Sequence, residues 1–196
     1  MRDNDASRKQ FTPLQEAAVK RFADQGYAGT SLQQIASDIG IKAPSIYAHF
    51  KGKDDLFLSL LEPSGDMEVA FTQSSLAKKG GHGKVLYSYL KEIGPRFESA
   101  PQVRFLLQTA YLPPPHIRDA VHAVVDKHME RMVAVFENHF IALPRLELKP
   151  QTLALAYQGI VDSLQAEILY CGKENYMKRL KAHWAVFSLA LKGLDS

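Results

Sequence analysis

The chain has 196 residues, 46% of them hydrophobic, a formal charge of +3 and one cysteine. That length suits one large domain, or a small one beside a medium one, with enough apolar side chains for a substantial core. Lone Cys171 excludes an intrachain disulfide and fits a reducing compartment. No run nears the roughly 18 apolar residues that cross a bilayer, and the polar start MRDNDASRKQ has no signal-peptide core. The expected setting is cytoplasmic, without a membrane partner.

Residues 1 to 10 are polar, and Arg2, Arg8 and Lys9 could serve as a loose basic arm. Thr12-Pro13-Leu14-Gln15 combines a capping-box spacing with proline at a first helical position. The spacing predicts a helix to about Gln25, stopped at Gly26, with Leu14, Ala18 and Phe22 inward. Thr30 and Ser31 each have a glutamine three residues on (Gln33, Gln34), again the capping-box spacing. Leu32, Ile35, Ala36 and Ile39 then keep the three-four period of one helical face. Gly40 can take the left-handed conformation that ends a helix. A further helix starts near Ala43 and Pro44, where Ile46 and Phe50 point inward. Two helices joined by a short glycine turn form a helix-turn-helix unit, whose second helix can enter a DNA major groove. From Lys42 to Lys53 there are three lysines and no acid. Lysines and hydroxyls suit phosphates, and small residues at the helix start let the backbone approach bases. The bland alternative is a solvated surface helix.

A fourth helix over 53–62 opens with Asp54 and Asp55, which complement the positive helix end. Pro63-Ser64-Gly65 is expected to end or kink it. Helices are then predicted near 66–78, 83–98, 101–112, 116–140, 150–170 and 173–193. They are separated at Gly80 to Gly83, Pro101, the prolines 113–115, Leu143-Pro144 with Pro150, and Gly172. The last helix carries Tyr176, Leu180, Trp184, Phe187, Leu191 and Leu194 at three-to-four spacing. The one before carries Leu153, Tyr157, Ile160, Leu164 and Ile168. Each has a second apolar side: Leu155, Val161 and Leu169 on one, Val186, Leu189 and Ala190 on the other. A helix apolar on two sides buries both, within its own core or against a second chain.

The stretch Phe22 to Leu60 resembles the N-terminal DNA-binding domain of the TetR family of bacterial transcriptional regulators. The shared pattern is F-A-x-x-G-Y, T-S-L-x-x-I-A, I-G-I-x-x-x-S-I-Y-x-H-F and K-x-K-D-D-L. The resemblance implies an all-α fold. Residues 1–53 would form a three-helix DNA-binding domain, 53–62 a linker helix with a hinge after it, and 63–196 a helical ligand-binding and dimerisation domain. It implies that Thr30, Ser31, Lys42, Ala43, Pro44, Ser45, Tyr47, Ala48, His49 and Lys53 lie against operator DNA. Tyr47, His49 and Lys53 would meet mostly phosphates. Lys42 departs from the family, where a serine often caps this helix, and losing that cap costs about 1 kcal/mol. The resemblance further implies a homodimer on a near-palindromic operator, its interface the last two helices: Tyr157, Ile160, Leu164, Ile168, Leu180, Trp184, Phe187 and Leu191. Two recognition helices then reach half-sites about 34–36 Å apart. It also implies an unidentified small-molecule inducer that releases a repressor from DNA.

No cofactor, metal or catalytic residue is expected. For the inducer site the large or polar residues of the middle helices are candidates: Tyr87, Phe105, Gln108, Tyr111, His128, Met132, Gln158 and Asp162, with Tyr89, Phe97 and Met129 near them. Gln158 and Asp162, four apart on an otherwise apolar helix, are the sharpest pair, because a buried acid wants a partner. The competing reading is a metal-binding protein or enzyme built on His122, Asp126 and His128, with His116 near in sequence. It has no H-E-x-x-H, cysteine pair or phosphate loop behind it. Cys171 reads as a buried thiol.

Overall fold

A computed structural model describes residues 11–143 and 147–191. Arg2, Arg8 and Lys9, the Pro144 break and Leu194 lie outside them. The described residues contain helices and no strand. The helices are α1 (Pro13–Gly29), α2 (Leu32–Asp38), α3 (Pro44–Tyr47), α4 (Lys53–Ser59), α5 (Leu61–Leu76), α6 (His82–Ser99), α7 (Pro101–Tyr111), α8 (Arg118–Ile141), α9 (Pro150–Tyr170) and α10 (Lys173–Phe187). Short 3₁₀ turns at Pro115–Ile117 and Ser188–Leu191 precede α8 and follow α10.

Two expectations at the helix ends are corrected. The first helix passes beyond Gln25 and resumes after a kink at Gly26, whose φ of 69° lies in the left-handed region. Pro63-Ser64-Gly65 does not break a helix. The break comes earlier, at Leu60, and Pro63 sits in the first turn of α5, where its missing N–H has no intrahelical partner to lose.

Side chains bury into two clusters. The first unites α1 to α4 around Phe22, Ile35, Ile46, Leu56 and Phe57, and extends to Phe105 and Leu106 of α7 and Val121 of α8. The second holds α5 to α10 together around Leu86, Tyr89, Phe136, Phe140, Tyr157 and Leu164. Tyr157 and Tyr176, both fully buried, donate their hydroxyls to the carbonyls of Leu86 and Leu90, fastening α9 and α10 to α6. A buried phenol without such an acceptor would carry an uncompensated desolvation penalty. α7 therefore packs against both clusters: Arg104 reaches Asp24 of α1 at 2.7 Å, and the Phe105 ring lies 5.1 Å from that of Phe57.

Candidate nucleic-acid interface and effector cavity

The helix-turn-helix is built from short-range signals. Ser31 caps α2 by accepting from the Gln34 N–H, while the Gln34 side chain returns to the Ser31 N–H. Gly40 turns the chain with φ 69°, and the next amide, Ile41, donates back to the Ala36 carbonyl at 3.0 Å. Arg21 clasps Asp38 through two N–H···O bonds of 2.5 and 2.6 Å, which ties α1 to the end of α2. The Arg21 bond holds the Asp38 carboxyl below its ordinary range. α3 is one turn long, and its N-cap residue is Ala43, which has no side-chain acceptor to cap with. Its single fully buried side chain is Ile46, with Phe50 half-buried behind it. That anchoring leaves Lys42, Pro44, Ser45, Tyr47, Ala48 and His49 exposed and Ala43 half-buried, and Tyr47 keeps 60% of its surface.

Two residues assigned to the same face lie elsewhere. Thr30 is 2% exposed, and its hydroxyl donates to the Gly26 carbonyl at 2.8 Å, where it closes the kinked end of α1. Lys53 turns inward: its ammonium donates to the carbonyls of Tyr27 at 2.9 Å and Thr30 at 3.0 Å and sits 4.0 Å from the centre of the Tyr27 ring. The unpaired carbonyls at a helix C-terminus carry partial negative charge, so a cation is drawn there. The Tyr27 hydroxyl in turn donates to Asp54, which also meets His116 Nε2 at 3.1 Å. Desolvation, with the Asp54 bond, pushes the Tyr27 phenol up to about 12. Lys51, two residues before Lys53, remains exposed.

A cavity of about 250 Å³ opens between α5, α6, α7, α8 and α9. Of the residues expected to line it, Tyr111, His128, Met132, Gln158 and Asp162 do, as do Tyr89 and Met129. Four do not. Phe105 faces the N-terminal aromatic cluster, the Tyr87 ring lies tilted 5.1 Å from that of Trp184, Phe97 packs against the second cluster, and Gln108 is absent from the lining. The sequence reading missed Glu68, Val103, Leu106, Leu107, Ala110, Val125, Val161 and Gln165. On α7 the signal was present, since Val103, Leu107 and Ala110 repeat at helical spacing on the side away from Phe105. Glu68 had no local signal, because its partner Arg96 comes 28 residues later.

Glu68, on the cavity wall, pairs with Arg96, which stands outside the lining with its guanidinium 3.5 Å from the Phe71 ring centre. Burial pushes both the Glu68 and the Asp162 carboxyls up. His128 is held down at about 4, chiefly by burial, so it is neutral near pH 7. A Cβ at Gly65 would fall 2.9 Å from His128 Nδ1, so glycine there is what lets α5 and α8 approach. His122 and Asp126 are exposed while His128 is half-buried at the cavity wall, so the three do not converge as a metal site. Cys171, expected buried, is exposed.

The residues expected between two copies are largely spent within one. Tyr157, Ile160, Leu164, Ile168, Leu180, Phe187 and Leu191 are buried in the chain's own core, and Trp184 packs partly against it. Val161 belongs to the core too. It is the other side of the two helices that is bare: Leu155 is 55% and Val186 72% exposed, with Ala156, Gly159, Leu189 and Ala190 beside them.

Residues 14–60 match the model of bacterial regulatory proteins of the tetR family. Over this stretch the chain is similar to the DNA-binding domain of the TetR family. AcrR of Shigella flexneri, an HTH-type transcriptional regulator, is 38% identical over 60 residues, 29% of this chain and 28% of AcrR. The chain spans less than two thirds of the length of curated relatives it matches, between 16% and 63%. Among solved structures, Bacillus subtilis FadR in complex with stearoyl-CoA superposes with a TM-score of 0.62 at 16% identity, over 94% of this chain and 99% of FadR. A putative regulator from Saccharomonospora viridis in complex with choline gives 0.64 at 19%, over 94% of this chain and 96% of that one. At such identities the likeness speaks for the TetR fold: a helix-turn-helix domain followed by a helical domain.

Proposed function

We propose that this chain is a sequence-specific transcriptional repressor of the TetR family that leaves its operator when a small molecule fills the cavity. The observation that carries the DNA reading is the exposed face of α3. Tyr47, Ser45, His49 and Lys42 stand outward on a helix whose only fully buried anchor is Ile46. In this reading Ser31, Lys42, Ala43, Pro44, Ser45, Tyr47, Ala48 and His49 meet the operator, and residues 1–53 act as the DNA-binding part. Thr30 and Lys53 act indirectly, by fixing how α1, α2 and α4 sit behind it. The bare side of α9 and α10 supports a homodimer, with Leu155, Val186 and Leu189 at its interface. The cavity supports effector control, because α7 and α8 line it and also pack against the N-terminal cluster. A ligand moves that equilibrium only by binding the two states unequally.

The test is fluorescence anisotropy with DNA flanking the gene, at two salt concentrations, for the wild type and Tyr47→Ala. Tight binding that weakens with salt, and falls about tenfold in the variant, is the expected result. Failure to select any specific fragment from the genome overturns the regulator reading.

A further inference from the structure

Building on the effector reading of the cavity, we infer that its ligand is a protonated amine on a compact apolar body, with the ammonium held between Asp162 and Gln158 Oε1. Gln158 is 6% exposed, and its amide nitrogen donates to Asp162 Oδ1 at 2.7 Å. Its oxygen, also buried, has no partner. Buried acceptors are satisfied as a rule, so a bare one beside a cavity marks where a donor belongs. Asp162 lies next to it with no basic side chain against it, and burial alone holds its carboxyl high.

The other polar groups around the cavity are committed or neutral. Glu68 is occupied by Arg96, the Tyr89 hydroxyl by Thr72, and the Tyr111 hydroxyl donates to the Asp162 carbonyl. Among the described residues no lysine or arginine lines the cavity, and His128 Nδ1 is a second buried polar atom without a partner. These groups therefore call for N–H donors and positive charge. A carboxylate or phosphate would meet Asp162 with no cation to balance it. A quaternary ammonium would balance Asp162 but has no N–H for Gln158. A cavity of 150 Å³ accommodates benzene, so the roughly 250 Å³ here suits a ligand of about ten non-hydrogen atoms. The remaining wall of Val103, Leu107, Val125, Met129 and Met132 fits an aromatic or branched aliphatic body.

The experiment is isothermal titration calorimetry of the full chain with four probes of similar size: 2-phenylethylamine, 2-phenylethanol, phenylacetate and 2-phenylethyl-trimethylammonium. The amine is expected to bind at least tenfold more tightly than the alcohol, with no binding of phenylacetate. Asp162→Asn should erase the amine's advantage, and Gln158→Leu should weaken the amine more than the trimethylammonium compound. Circular dichroism melts establish that both variants fold. Equal or tighter binding of the alcohol or the acid, or an amine affinity unchanged in Asp162→Asn, overturns the ammonium assignment and leaves the cavity as the effector site. If none of the four probes binds, the ligand class and the effector reading of the cavity both fall.

Discussion

At the scale of single residues, Lys51 and Lys53 have the same charge and opposite roles. Lys51 is exposed near α3, whereas the Lys53 ammonium closes the end of α1 and lies against the Tyr27 ring. Lys51→Ala is expected to weaken DNA binding modestly and to lower the salt slope by about one. Lys53→Ala should leave that slope unchanged and lower the thermal midpoint. It deprives the Tyr27 and Thr30 carbonyls of their donor, at a cost of about 1–2 kcal/mol. Anisotropy across a salt series and a calorimetric melt separate the two. If Lys53→Ala reduces the slope as Lys51→Ala does, the side chain leaves its internal site to meet phosphate.

Among elements, α8 joins the two halves of the molecule. Its preceding turn brings His116 to Asp54 at the start of α4, and further along the same helix Val125, His128, Met129 and Met132 face the cavity. α4 leads back through Tyr27 and Lys53 to the helices that orient α3. This contiguity makes α8 a physical route from the cavity to the helix-turn-helix, although a route becomes a coupling only when both sites bias the same element. His116→Ala is the informative change. Its bond to Asp54 is half-exposed, so stability should fall by less than about 1 kcal/mol. Ligand affinity without DNA is expected to stay within about threefold. What should shrink is the effect of ligand on DNA affinity, read by anisotropy with and without saturating ligand. Unaltered coupling would show that the signal passes through α7 instead.

For the whole molecule the decisive question is which faces of α9 and α10 remain after folding. Val186 and Leu189 on α10 and Leu155 on α9 are large, apolar and bare. Small neighbours, Ala156 and Gly159, leave room for a helix to come close, and a Cβ at Gly159 would touch nothing within 4 Å. Val186→Glu places a charge in that face without disturbing the core. It is expected to yield a monomer by sedimentation velocity and to reduce operator affinity at least tenfold, because a single recognition helix loses its half-site partner. A dimer that persists in this variant would locate the interface elsewhere.

The sequence by itself determined the local units. Thr12 and Ser31 with their glutamines, Gly40 in its turn and Pro44 at a helix start act through bonds spanning three to five residues, and such signals survive in any tertiary setting. The α3 anchor Ile46 and the outward Tyr47 were legible for that reason. So was the Gln158–Asp162 pair, since four residues make one helical turn. Only tertiary structure decided the rest. A helix with two apolar sides, such as α9, does not specify which side meets its own chain, so the stripe from Tyr157 to Ile168 read as an interface and proved to be core. Lys53 found carbonyls 23 and 26 residues back, and Glu68 found Arg96, through packing that no periodicity encodes. Phe105 and Leu107, two residues apart on α7, ended in different clusters because helices from both halves of the molecule close over opposite sides of it. The chemistry of each group is written in its residue type, but its environment is set by whatever the fold brings against it.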